Sequence, residues 1–248
     1  MLLENRVALV TGAARGIGAA TAAQLGAEGA HVVVVDLDLT PAQEVAAAIK
    51  ASGGDALALE SDVSKPTSVE KLVTDVITHF GRLDILVNNA GICPRISIED
   101  MTEERFDQLI NINLKSVFFL SRAAAQAMKP NQWGRIINLS STGGRIGGVH
   151  NATVYGATKA GILAMTKSFA RHYAKYNILV NSVAPGAVET RMMTSLPDAT
   201  LQGVIDTAPL NRLANPAEIA STIVFLSSER ASWITGATLD VNGGTLML

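Results

Sequence analysis

The feature of this sequence that most restricts its fold is a regular alternation of short apolar runs, rich in β-branched residues, with longer alanine-rich helical stretches. The runs are apolar at consecutive positions, which indicates strands that are buried on both faces. When helices join such strands through right-handed crossovers, they form a parallel sheet with helices on each side. The sequence therefore predicts an α/β fold in three layers, with a doubly wound parallel sheet at its centre.

The same pattern assigns residues to each element of the sheet. The predicted strands are Val7–Val10, His31–Val35, Ala56–Glu60, Leu83–Val87, Arg135–Leu139, Ile178–Val183 and Ala237–Val241. The predicted helices are Thr21–Glu28, Pro41–Ser52 after a Thr40 cap, Lys65–Phe80, Glu103–Lys129 as one long helix or a pair, Val154–Tyr176, and Pro216–Ser227 after an Asn215 cap. No linker or long-period repeat interrupts residues 1–248, so we predict a single domain. The least regular stretch, Thr190–Asn211, is predicted to be a mobile lid over a ligand crevice.

Charge and composition exclude several classes of protein. The formal charge is −2 and Lys and Arg form no runs, which argues against binding to nucleic acid. No apolar run reaches the ~18–20 residues of a membrane span, and no basic N-terminal region precedes a separate apolar stretch. The single cysteine, Cys93, leaves no intrachain disulfide and no cysteine-based metal cluster. We expect a cytoplasmic protein that acts on a small molecule without a metal.

A glycine-rich turn joins the first predicted strand to the first helix. Gly12, Gly16 and Gly18 are spaced G-x-x-x-G-x-G, with Arg15 and Ile17 on either side of Gly16. Glycines in this position permit a tight turn and the close approach of a pyrophosphate, and the N-terminus of the following helix favours an anion. Three glycines in a turn are often needed only for the backbone conformation of that turn. Here their position between the first strand and the first helix indicates a dinucleotide site.

Asp36, directly after the second predicted strand, bears on which dinucleotide is bound. A carboxylate there accepts hydrogen bonds from the adenosine ribose hydroxyls and repels a 2′-phosphate. Arg15 argues the other way, because a guanidinium inside the turn favours a 2′-phosphate. Asp36 is expected to lie nearer the 2′ position, and Leu37 and Asp38 follow it without a basic residue. We therefore expect NAD, with NADP less favoured.

Tyr155 and Lys159 are spaced i, i+4 at the start of a predicted helix. That spacing puts the phenol and the ammonium on one helical face. A free tyrosine has a pKa of about 10, and a nearby cation favours its phenolate. The Y-x-x-x-K pattern alone is common on exposed helices, but here it follows a strand and a glycine-rich loop, which favours a catalytic pair.

Together these motifs resemble the short-chain dehydrogenase/reductase family across essentially the whole chain. The matching residues are Thr11–Gly18, Asp62–Val63, Asn88–Gly91, Asn113, Ser140–Ser141, Tyr155 with Lys159, Pro185–Gly186 with Thr190, and Asn242–Gly244. The resemblance implies an NAD(P)-binding Rossmann fold and an oxidoreductase that interconverts a secondary alcohol and a ketone. These motifs identify the family much better than they identify the substrate.

The resemblance also implies catalytic roles. Tyr155 corresponds to the general acid/base, and Lys159 to the residue that holds the nicotinamide ribose and tunes the tyrosine. Ser141 best matches the serine that holds the substrate oxygen, although its distance from Tyr155 is one residue longer than is usual in the family. Ser140 and Thr142 are therefore alternative candidates for holding the substrate oxygen. Asn113 corresponds to the asparagine that anchors a water of the proton relay, with Asn111 as its near neighbour.

Cofactor contacts are implied at the ends of other strands. Asp62 and Val63 resemble the adenine-contacting pair. Asn89, Ala90 and Gly91 resemble the wall behind the adenosine ribose, or simply stabilise the sheet. Near the nicotinamide, the corresponding residues are Pro185, Gly186, Val188 and Thr190, whose hydroxyl is expected to hold the carboxamide.

Several functional alternatives remain at this level. An NAD-dependent secondary alcohol dehydrogenase is the main hypothesis. A 3-oxoacyl-thioester reductase is the alternative, although that activity generally uses NADPH and Asp36 argues against it. A nucleotide-sensing member without redox turnover is disfavoured by the intact Tyr155–Lys159 pair. Arg145 or His150 is a candidate contact for an acidic or polar substrate group, unless both face solvent. The resemblance further implies a homotetramer.

Overall fold

The computed structural model describes all 248 residues. Its strands are β1 (Val7–Thr11), β2 (His31–Asp36), β3 (Asp55–Glu60), β4 (Ile85–Asn88), β5 (Gly134–Leu139), β6 (Ile178–Pro185) and β7 (Thr238–Val241). They form one parallel sheet in the order β3-β2-β1-β4-β5-β6-β7. The predicted doubly wound α/β fold is confirmed. The strand order reverses between β1 and β4, which is the point where ligands bind in open sheets of this type.

The helices cover both faces of the sheet. They are α1 (Gly16–Ala27), α2 (Leu39–Ala51), α3 (Pro66–Phe80), α4 (Glu103–Ile110), α5 (Ser116–Met128), α6 (Gly143–Ile146), α7 (Thr153–Tyr173), α8 (Arg191–Thr194), α9 (Asp198–Asp206) and α10 (Pro216–Ser227). None of these helices combines the length and the apolar character needed to cross a membrane.

Two apolar cores lie on opposite faces of the sheet, because successive strand residues point in opposite directions. Val32 and Val34 of β2 pack with helices α1, α2 and α10 on one face. Val33 and Val35 of the same strand pack with α3, α5 and α7 on the other. All four valines have no exposed surface, which explains why the strand is apolar at consecutive positions.

Two element predictions are wrong in detail. The second helix begins at Leu39, two residues before Pro41, and Thr40 is not its cap. The stretch Glu103–Lys129 is neither one α-helix nor two separate ones, because a π-helical turn at Asn111–Lys115 joins α4 to α5. The stretch 190–211 is partly regular, since it contains α8 and α9. The Asn215 cap of α10 is confirmed, with a reciprocal bond from Glu218.

Candidate active site

A cavity of roughly 1090 Å³ opens at the carboxyl ends of the central strands. Its lining includes every site residue predicted from the sequence except Gly18 and Asn113. The lining residues that were predicted are Gly12, Arg15, Gly16, Ile17, Asp36, Asp62, Val63, Asn89, Ala90, Gly91, Ser141, Tyr155, Lys159, Pro185, Gly186, Val188 and Thr190. Motifs from separate parts of the chain are thus brought to one edge of the sheet.

The glycine turn is shaped by close backbone contacts. Gly12 has a φ of +61°, and a Cβ there would lie 2.8 Å from the Cα of Ala90. A Cβ on Gly18 would overlap the carbonyl oxygen of Gly12. Asn89 holds the turn from outside, because its side-chain amide donates to the carbonyl oxygens of Thr11 and Gly12 at 2.8 and 2.9 Å. Side chains at these glycines would therefore displace the backbone of the turn.

The N-terminus of α1 presents its first N–H groups at this cavity. Arg15 precedes the helix and gives it no side-chain cap. Uncapped N–H groups and the helix dipole favour a phosphate oxygen. The glycine turn and this helix end therefore fit the pyrophosphate of a dinucleotide.

Asp36 lies at the end of β2 and is fixed by the backbone around it. One carboxylate oxygen accepts from Ala14 N at 3.1 Å, and the other from Leu37 N at 2.9 Å and Asp38 N at 3.3 Å. Arg15 pairs with Asp38 at 3.9 Å. The recess beside Asp36 also contains Glu60, so carboxylates outnumber the one guanidinium there.

Asp62, after β3, is largely engaged in its own turn. One oxygen accepts from the Ser64 hydroxyl at 2.6 Å and from Ser64 N at 3.1 Å, and the other pairs with Lys65 at 3.2 Å. The Ser64 hydrogen bond is the main reason why the pKa of Asp62 lies below its ordinary value. Asp62 thus stays anionic at the cavity edge, beside the buried Val63.

Tyr155 and Lys159 occupy one face of α7, as their spacing predicts. The Lys159 ammonium lies 5.6 Å from the centre of the Tyr155 ring and donates to the carbonyl oxygen of Leu139 at 2.7 Å. Burial raises the pKa of Tyr155 to about 12, while the Ser141 hydroxyl and the Arg95 charge act in the opposite direction. Burial lowers the pKa of Lys159 to about 8. In the free protein the tyrosine is therefore a neutral phenol at pH 7.

The three candidates for the oxygen-binding hydroxyl have different surroundings. Ser140 is buried, and its hydroxyl donates to the carbonyl oxygen of Lys159 at 2.9 Å. Ser141 accepts from Gly143 N at 3.1 Å and keeps its own hydrogen free to donate. Thr142 is held through its main chain, which donates to Pro185 O at 3.0 Å. Of the three hydroxyls, only that of Ser141 affects the pKa of Tyr155, which it lowers through a hydrogen bond.

Asn113 lies in the π-helical turn, fully buried and outside the cavity lining. Its amide accepts from Ile92 N at 2.9 Å and donates to Ile92 O at 2.8 Å. A third contact joins its nitrogen to the Thr158 hydroxyl at 3.4 Å. The side chain is therefore committed to joining the π turn, α7 and the segment after β4.

The segment after β6 closes the other side of the cavity. A Cβ on Gly186 would lie 2.8 Å from the Cα of Asn242, so this glycine permits close packing against the segment after β7. Val188 forms an isolated bridge with Ala214, which joins the two ends of the intervening stretch. The Thr190 hydroxyl donates to Val188 O at 3.3 Å and lines the cavity.

Two arginines show where sequence reasoning fell short. Arg145, a candidate substrate contact, lies outside the cavity lining and forms an ion pair with Asp240 at 2.8 Å. Arg95, which the sequence analysis did not select, lines the cavity together with His150. Its position four residues after Gly91, on the segment leaving β4, was the signal available, because such segments carry ligand contacts in open sheets.

The chain is similar to known proteins along its whole length. Residues 12–245 match a protein-family model described as enoyl-(acyl carrier protein) reductase. The 3-oxoacyl-(acyl-carrier-protein) reductase FabG of Salmonella typhimurium is 42% identical over 248 residues, covering 100% of both chains. The protein of the same name from Pseudomonas aeruginosa is 40% identical over 247 residues, again covering 100% of both.

Solved structures resemble the fold equally well. The crystal structure of gox2181 has a TM-score of 0.95 and 34% identity, covering 98% of this chain and 96% of that one. A putative short-chain alcohol dehydrogenase from Sinorhizobium meliloti 1021 has a TM-score of 0.93 and 36% identity, covering 98% and 97%.

Proposed function

Because the chain belongs to the short-chain dehydrogenase/reductase family of nicotinamide-dependent oxidoreductases, we propose that it interconverts a ketone and a secondary alcohol with Tyr155 as general acid/base. The observation that carries the proposal is the placement of Tyr155, Lys159 and Ser141 in one cavity with the glycine turn. The intact Tyr155–Lys159 pair argues against a member that senses nucleotides without turnover.

For the substrate, a 3-oxoacyl thioester is better supported than a simple secondary alcohol. The relatives that match the full chain are named as reductases of 3-oxoacyl groups on acyl carrier protein. Tyr155 would have the same role as general acid in this reaction, since a 3-oxoacyl group is reduced at its ketone. Apolar side chains also line the cavity beyond Tyr155, and they suit an acyl chain: Ile146, Val149, Met192, Met193 and Val204.

For the cofactor, the residues around the adenosine end favour NAD(H). The Asp36 carboxylate is held by three backbone N–H groups at the end of β2. A 2′-phosphate there would be repelled by Asp36, Asp38 and Glu60. Arg15 offers little compensation, because it already faces Asp38. The proposal thus combines the substrate class of the relatives with NAD(H).

The residues of the chain then divide the work of ketone reduction. When bound, the nicotinamide supplies the hydride. Tyr155 donates its proton to the ketone oxygen, and its high pKa in the free protein keeps that proton available at neutral pH. Ser141 donates a hydrogen bond to the same oxygen as negative charge develops. The Lys159 ammonium stabilises the phenolate that remains.

Asn113 has a narrower part in this scheme than the family resemblance implies. Its side-chain amide is fixed by Ile92 and Thr158 and lies outside the cavity lining. We therefore assign a water that relays a proton to its main chain rather than to its amide. The mobile lid at residues 190–211, the homotetramer and the cytoplasmic location stay predictions from the sequence.

The proposal is tested by following the absorbance of reduced nicotinamide with purified protein, each cofactor and a panel of ketones that includes 3-oxoacyl thioesters. We expect turnover with NADH and a loss of at least about 100-fold in Tyr155→Phe. Tyr176→Phe is the matched control, because Tyr176 lies outside the cavity lining. Turnover that survives in Tyr155→Phe, or no turnover with any ketone, would refute the proposal.

A further inference from the structure

Arg95 is a cavity residue that the proposed chemistry leaves without a role. It lies on the segment after β4 and lines the cavity that contains Tyr155. Its Nη1 donates to the carbonyl oxygens of Val149 and His150 at 3.2 and 3.3 Å. Ile96 N also donates to Asn151 O at 3.0 Å. The guanidinium is thus anchored on one side to the loop that precedes α7.

That loop is held in an unfavourable backbone conformation. His150 and Asn151 are consecutive non-glycine residues with positive φ values of 51° and 60°. Such conformations carry a cost that is usually accepted where a loop has to hold a particular shape, often at a functional site. Here the shape directs two neighbouring carbonyl oxygens towards Arg95, which orients the guanidinium.

Arg95 has no carboxylate partner, unlike Arg15 and Arg145. Arg15 faces Asp38 and Arg145 faces Asp240, whereas the two loop carbonyls are the hydrogen-bond partners of Arg95. Its Nη2 and Nε remain available as donors. A guanidinium with this free edge is suited to a planar, two-oxygen anion.

The charge of Arg95 acts close to the reacting groups. Burial raises the pKa values of Tyr155 and of the Cys93 thiol, and the positive charge of Arg95 lowers both. Besides Asp36 and Asp62, the one carboxylate in the cavity lining is Glu189, whereas Arg191 and Lys159 add further positive charge. An anionic substrate group would therefore meet a net positive environment beside the ketone.

We propose that Arg95 binds an anionic oxygen group of the substrate, either a carboxylate or a phosphate, and so selects acidic ketones over neutral ones. This inference rests on the proposed ketone reduction and narrows its substrate class. A carboxylate would belong to a short oxo acid. A phosphate would belong to the carrier portion of a thioester.

Two matched pairs of substrates separate these sources. The first pair is 3-oxobutanoate and its methyl ester, which differ in the carboxylate charge. The second pair is the 3-oxobutanoyl thioester of coenzyme A and that of N-acetylcysteamine, which differ in the phosphates. For each pair the ratio of kcat/KM, charged over neutral, is measured with NADH in the wild type and in variants.

In Arg95→Gln we expect one of the two ratios to fall by about 10- to 100-fold, the loss typical of a hydrogen bond to a charged group. The kcat/KM of the neutral member should fall by much less than that of the charged member, because it loses only the effect of the Arg95 charge on Tyr155. Arg95→Lys should restore part of the ratio, because it keeps the charge without the two-donor edge. Arg105→Gln is the control for lost charge, since Arg105 is an exposed residue of α4 that bonds to Gln108.

A fall in the first ratio assigns Arg95 to a carboxylate, and a fall in the second assigns it to a phosphate. If neither ratio changes in Arg95→Gln, or if Arg105→Gln changes them equally, the inference is wrong while ketone reduction stands. If the wild type reduces no ketone at all, the proposed function itself is wrong.

Discussion

Arg145 and Asp240 form a two-point ion pair that joins the segment after Ser141 to the last strand of the sheet. Nη2 and Nε of Arg145 lie 2.8 and 3.3 Å from the two carboxylate oxygens. The side chains are 22% and 21% exposed, so solvent screens the pair only in part. In addition, Thr142 N donates a hydrogen bond to Pro185 O at 3.0 Å. The turn that carries Ser141 is thus fixed to both β6 and β7.

We expect Arg145→Met to lower kcat by about 10-fold through misplacement of Ser141, with a small change in KM. Asp240→Asn should have the same effect, and the double variant should be little worse than either single one. A double-mutant cycle based on the free energies of unfolding should give a coupling energy of about 1 kcal/mol between Arg145 and Asp240. Additive losses in kcat would show that the pair does not position the serine.

Lys159 gives the free protein a pH-dependent stability. Its pKa is about 8 in the folded protein, against an ordinary value of 10.5. The unfolded chain therefore binds more protons between pH 8 and 10.5, and stability rises with pH across that window. Below pH 8 both states are protonated, and the cost of the buried charge is fully present.

Removing this charge should stabilise the protein at neutral pH. Lys159→Met is expected to raise the free energy of unfolding by up to about 2 kcal/mol at pH 7, after the lost bond to Leu139 O is allowed for. The gain should shrink as the pH rises from 8 to 10.5. Urea unfolding without cofactor at several pH values checks this. A gain that does not vary with pH would contradict a buried ammonium in the folded state.

The sequence predicts the sheet well because strands that are buried on both faces have consecutive apolar residues, such as Val32–Val35. It also predicts which motifs meet, since parallel strands place their carboxyl ends at one edge. It does not predict the π turn at Asn111–Lys115, because the pattern of apolar residues through that turn differs little from an α-helical one.

Side-chain partners were harder still to predict. Arg145 and Asp240 are 95 residues apart, and neither residue type nor spacing shows that they meet. The position of Arg95 after β4 is visible in the sequence, but its lack of a carboxylate partner is visible only in the folded structure. Local patterns thus fix elements and motifs, whereas long-range charge pairing depends on the folded arrangement.

Asp36 should control the choice between the two cofactors. Asp36→Asn removes the negative charge, although its amide keeps only one acceptor oxygen for the backbone N–H groups that bond to the two carboxylate oxygens of Asp36. We expect the ratio of kcat/KM for NADPH over NADH to rise by at least about 10-fold, as repulsion of the 2′-phosphate is relieved. Asp38→Asn, which releases Arg15, is the comparison and should raise the ratio less. If the wild type already prefers NADPH, the assignment of NAD(H) is wrong.

Ser140, Ser141 and Thr142 can be distinguished by what each hydroxyl contacts. Ser141→Ala should lower kcat by about 100-fold, because it removes a donor to the developing oxyanion. Ser140→Ala should instead destabilise the fold by about 1 kcal/mol through loss of its bond to Lys159 O. Thr142→Val should leave kcat nearly unchanged, because Thr142 is held through its main chain. Steady-state kinetics and urea unfolding on all three variants separate these outcomes, and a large loss of kcat in Thr142→Val would move the oxygen-binding role to that residue.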